Sequence, residues 1–135
     1  MKKMLLILAL ALGPGLAMAA TPTNVSTVKI LRSGVSPTAS AIDYSNGNSV
    51  SVTAGEFLVI ESSSVYLTVT ATDQRTSREG YTNNATCFVP VNTRRLMGPF
   101  VKNRWADSSG LIEFTYSATT TGTGATIWAL RLPFG

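Results

Sequence analysis

The residue types that carry most enzyme chemistry are sparse in this chain, and their spacing gives them little to do. There is no histidine, and Cys87 is the one cysteine. Without imidazole neither a Ser-His-Asp nor a Cys-His nucleophile can be built, and the commonest metal ligand is missing. Cys87 has no second thiol with which to hold zinc or close a bridge within the chain. Its neighbours Thr86 and Phe88-Val89 suggest a strand, where a lone cysteine is a small apolar residue; pairing between molecules is the alternative. The seven carboxylates are Asp43, Glu56, Glu61, Asp73, Glu79, Asp107 and Glu113. A glycosidase needs two of them facing across a cleft, and nothing in their spacing sets such a pair. No Asp-x-Asp-x-Asp-Gly run suits calcium, and no lysine or helix pattern follows Gly122-Thr123-Gly124 to make a phosphate loop. The sequence thus predicts no catalysis, no metal and no cofactor.

What remains for function is recognition. Trp105 stands beside Arg104 in a polar segment from Val101 to Gly110 that reads as an exposed loop. Trp and Arg are the types enriched at interface hot spots, so this pair is the expected protein contact. Trp105 and Tyr81 offer a second use, as loop aromatics for a carbohydrate. Gly98-Pro99 is expected to reverse the chain rigidly, with Phe100 capping the core behind it. Asp107 is expected to bond the loop backbone and to pair with Arg104.

The elements that position these residues begin after an export signal. Lys2 and Lys3 form a basic start, Met4 to Leu12 is apolar, Gly13-Pro14-Gly15 breaks a helix, and Ala17-Met18-Ala19 offers small residues for cleavage between Ala19 and Ala20. The apolar run is far short of the ~20 residues of a membrane span. The prediction is a signal-peptide helix over residues 1–19, membrane contact only during export, and a single domain over residues 20–135 in the periplasm or outside the cell. Loss of Lys2 and Lys3 halves the formal net charge of +4. The remaining charges are scattered, unlike the basic stripe of a nucleic-acid binder.

The mature chain is a series of short β-type runs divided by Gly, Ser, Asn and Pro: 26–31, 49–52, 56–61, 65–72, 86–91, 93–97, 111–118 and 125–132. In one of them Val65, Leu67, Val69 and Ala71 share a face, and Tyr66, Thr68, Thr70 and Thr72 take the other. About eight strands with turn signals between them predict an all-β, two-sheet antiparallel β-sandwich. A jelly roll is the favoured topology and an immunoglobulin-like sandwich the alternative.

From Gly55 onward several blocks fall in a familiar order. They are Gly55-Glu56-Phe57-Leu58-Val59, Leu67-Thr68-Val69-Thr70, Thr72-Asp73-Gln74-Arg75-Thr76 with Gly80-Tyr81, and Arg95-Leu96-Met97-Gly98-Pro99-Phe100. Arg104-Trp105-Ala106-Asp107 and Gly110-Leu111-Ile112-Glu113-Phe114-Thr115-Tyr116-Ser117 complete the set. In this order they resemble small β-sandwich structural proteins of bacteriophages, the decoration and minor head proteins. The resemblance implies a virion structural protein that assembles with copies of itself and with a major capsid protein. An exported bacterial surface or filament subunit, or an adhesin-like binding module, is the competing expectation.

Overall fold

The computed structural model describes residues 21–31, 33–75, 80, 83–118 and 124–133. The expected signal helix, the cleavage pair Ala19 and Ala20, Tyr81 and Phe134 lie outside these residues. The described chain is mostly β. Its strands are β1 (Thr23–Val25), β2 (Thr27–Lys29), β3 (Ser40–Ala41), β4 (Asn48–Ser51), β5 (Glu56–Ser62), β6 (Leu67–Ala71), β7 (Ala85–Val89), β8 (Thr93–Phe100), β9 (Leu111–Ala118) and β10 (Ala125–Arg131). One helical turn, α1 (Lys102–Trp105), lies between β8 and β9.

The ten strands form two open five-stranded sheets. The first has the order β1-β4-β9-β6-β7; the second runs β2-β10-β5-β8, with β3 also paired to β10. Both sheets are mixed, which corrects the purely antiparallel expectation: β1 runs parallel to β4, and β2 runs parallel to β10. A single N-terminal stretch makes both parallel pairs by crossing from one sheet to the other at Ser26. Strand β2 joins one half of β10 at Ala129–Arg131, and β3 joins the other half at Thr126 and Ile127.

Period-2 patterning is what divides the strands into faces. In β6 the apolar Leu67, Val69 and Ala71 are buried while Thr68 and Thr70 are half-buried. In β5 Leu58 and Ile60 turn inward, and in β9 Ile112 and Phe114 do so. These side chains from both sheets join Ile127, Ala129 and Val89 in one continuous core. Glu56 is also buried. Its carboxylate accepts hydrogen bonds from the Thr53 amide and hydroxyl and from Arg131 Nε at 2.7 Å. Asn48 satisfies itself by donating to the Thr23 and Ala41 carbonyls and accepting from the Asp43 amide. It thereby ties β1, β3 and β4 together.

Gly98-Pro99 does not reverse the chain. Strand β8 runs straight through it to Phe100, and the pairing with β5 slips there, between Glu56 and Leu58. The Gly98-Pro99 bond is cis and Gly98 has φ +127°. A Cβ at Gly98 would sit 2.9 Å from the Glu56 carbonyl oxygen, so glycine is what lets the two strands close up at the bulge. Phe100 does cap the core, 2% exposed.

Candidate interaction surface

The segment expected to present Arg104 and Trp105 is folded down onto the core. Trp105 is 7% exposed and meets Phe100 edge to face. This corrects the expectation of an exposed Trp105 on a contact loop. The physical reason is α1: the Trp105 amide donates to the Val101 carbonyl at 3.1 Å, and that one turn swings the indole inward. Arg104 lies over the indole, 4.8 Å from its centroid, and pairs with buried Asp73 at 3.3 Å. Asp107 is therefore not its partner. The Asp107 carboxylate instead accepts from the Ser109 and Leu111 amides at 2.8 and 2.9 Å, folding the turn into β9 as expected of it. Gln74 donates to the Arg104 carbonyl and Arg75 Nε to that of Asn103, so the whole segment is clasped to residues 73–75.

An apolar surface built on strands lies elsewhere, on the outer face of the second sheet. Strand register assembles it in three rows. Leu96, Val59 and Trp128 are directly paired across β8, β5 and β10. On one side of this row stand Arg94, Glu61 and Thr126; on the other, Phe57, Leu130 and Val28. Leu96, at the edge-strand end of this row, is 62% exposed. Beneath it Ile30, Phe57, Leu130 and Leu132 complete an apolar hollow of about 150 Å³.

At the other end, Val35, Ser36 and Pro37 of the β2–β3 loop wall off a shallow cavity of about 380 Å³. It is floored by Val59, Trp128 and Leu130 and bordered by Arg94. The Arg94 guanidinium lies over the Trp128 ring, 5.4 Å from its centroid, and its Nε donates to Glu61 at 2.9 Å while a terminal nitrogen pairs with the same carboxylate. The ion pair holds Arg94 in place and leaves the indole rim open. Chemically the face offers apolar contact and aromatic stacking, bounded by one charge pair.

The sequence points to none of this face. Residues 125–130 alternate Ala, Thr, Ile, Trp, Ala, Leu, so apolar side chains occur on both sides of β10 and periodicity cannot separate core from surface. The available signal was the excess itself: Trp128 and Leu130 occupy positions where a half-solvated strand would carry polar groups. Among the described residues, no group of three or more His, Cys, Asp or Glu converges as a metal site would require. No family model, curated protein or solved structure matches the chain.

Proposed function

We propose that this protein is an exported structural subunit that works through protein–protein assembly, as a virion decoration or minor head component. The observation that carries this reading is the row Leu96–Val59–Trp128, an apolar row on the outer face of a paired sheet with Leu96 exposed and Val59 and Trp128 half-buried. A contact built on a sheet is pre-organised, so little ordering entropy opposes binding. The partner is another subunit, either a copy of this chain or the major shell protein it sits on.

The fold reading within this proposal is a β-sandwich of jelly-roll type, with the first two strands added in parallel. Strand order supports it: from β3 to β10 the chain alternates between the sheets, doubling back within one sheet only at β6–β7. Every pairing among these strands is antiparallel. That is the wrapping of nested Greek keys. The competing reading, an exported bacterial surface or filament subunit, draws on the basic and apolar start, Lys2-Lys3 and Met4 to Leu12. The flanking genes separate the two: capsid, portal and terminase genes for the first, a secretion and adhesion cluster for the second.

The direct test is light scattering on the purified protein at micromolar concentration, alone and with candidate shells. Association, with itself or with a shell, that Leu96→Glu weakens supports the proposal. A protein with no association that Leu96→Glu weakens overturns it.

A further inference from the structure

The two sheets end in strands that are protected very differently. An open edge offers unpaired amides and carbonyls to any other strand, and proteins blunt it with charge, proline, bulges or inward-pointing charged residues. Strand β8, the edge of the second sheet, has all of these. Arg94 and Arg95 are adjacent, Arg95 is in register with buried Ile60, and the ladder is broken at Gly98-Pro99. Strand β7, the edge of the first sheet, has none within its ladder. No charged residue occurs from Asn83 to Asn92. Its ladder with β6 runs unbroken from Leu67↔Val89 to Ala71↔Ala85. Among the described residues no strand pairs with its other side.

A second observation falls on the same edge. On the outer face of the first sheet Tyr66 and Phe88 stack, with ring centroids 6.0 Å apart and 9° between their planes. They are 49% and 56% exposed. Large aromatics left half in water beside an open edge are the kind of group that anchors a contact.

We infer that β7 pairs edge to edge with β7 of a second copy, antiparallel about Cys87. Charge selects this occupant. A two-fold contact sets each strand against itself, so β8 against β8 would bring the Arg94-Arg95 pairs into one ladder, whereas β7 itself carries no charge from Ala85 to Val89 and the nearest cation, Arg95, stands beside Cys87 from the other sheet. Cys87 is the middle residue of Ala85–Val89, so the two-fold sets Cys87 opposite Cys87 and Thr86 opposite Phe88 of the other copy. The joined outer face then carries both Tyr66–Phe88 stacks side by side. Directly opposed residues in an antiparallel ladder have Cα atoms about 4.5–5.5 Å apart, within the span a disulfide bridges. Both thiols lie on the inner side, since Cys87 is in register with buried Val69. Five residues of edge extend over about 17 Å, so this is a small contact of the weak class, below about 1,200 Å². It is separate from the outer-face contact of the second sheet and stands or falls without it.

The experiment is oxidative cross-linking of the full chain at micromolar concentration. Diamide accepts the two protons and two electrons released as two Cys87 thiols join, and non-reducing electrophoresis reads the dimer. The expected result is rapid dimer formation, absent in Cys87→Ser and slowed about tenfold or more by Phe88→Lys and by Thr86→Lys. Leu96→Glu leaves it unchanged, which keeps this test distinct from that of the proposed function. A dimer that forms equally fast in the lysine variants, or no dimer at all, overturns the inference. Far-UV circular dichroism checks each variant. If one lysine variant loses its β spectrum the other carries the comparison, and loss in both overturns the claim that this edge is open.

Discussion

The rings of Phe100 and Trp105 meet edge to face, centroids 5.3 Å apart and planes at 86°. On its other side Phe100 meets Phe114 in the same manner at 5.4 Å. One aromatic cluster thus locks the end of β8, the α1 turn and the middle of β9. Trp105→Ala should cost about 3–5 kcal/mol of stability, the usual range for emptying a buried aromatic site. A urea midpoint that does not move would contradict this placement of the indole.

Leu96→Glu should behave in the opposite way. The side chain is exposed, so stability should change by no more than about 0.5 kcal/mol. Association through the outer face of the second sheet should fall about tenfold or more, read by light scattering against unchanged thermal unfolding.

Acid should loosen the fold through Glu56. Burial pushes its carboxyl up, but hydrogen bonds from the Thr53 amide and hydroxyl and the Arg131 guanidinium outweigh that and hold it below the usual carboxylate value. A carboxyl lowered by folding gives stability that is present above its unfolded value, about 4.3. That stability is lost as pH falls through the folded value. Denaturant midpoints should therefore be flat down to about pH 5 and drop below it, and Glu56→Gln should flatten the drop at the cost of a lower plateau.

Gly47 should not tolerate a side chain. It has φ +81°, and a Cβ there would lie 2.5 Å from the Phe114 carbonyl oxygen. Gly47→Ala should cost more than about 1 kcal/mol, with the loss centred on the β4–β9 ladder. Amide exchange at Val50 and Ile112 should report it.

Export is checked by mass. Protein recovered from the periplasm of a bacterium expressing the full chain should begin at Ala20. Recovery of only the uncleaved chain would count against the export reading.

Strands whose two faces differ were legible in the sequence. Leu67, Val69 and Ala71 alternate with threonines, and β6 follows that pattern; Leu111–Ala118 is β9 to the residue. What was not legible depends on partners far along the chain. Strand β3 is two residues inside a segment that reads as a loop, and it exists only because β10 pairs with it. Trp105 reads as exposed from sequence because a four-residue helix is too short to leave a 3.6-residue period, and Arg104 and Lys102 give the segment a solvent-facing pattern. The Gly98-Pro99 pair carries turn chemistry, but the Glu56–Phe100 pairing beyond it keeps the strand going.

Among the described residues strand β2 has one partner, β10, which is the last of the described strands. Thr27–Lys29 therefore cannot take its place in the second sheet until Ala129–Arg131 has been made. β10 is also the strand that joins β2 and β3 to the β5–β8 pair, so before Ala125–Arg131 emerges the second sheet holds only that pair. Pairings that span nearly the whole chain are entropically late and slow to form. Completion of the second sheet is thus a late event that waits on one long-range closure, the meeting of Thr27–Lys29 with Ala129–Arg131.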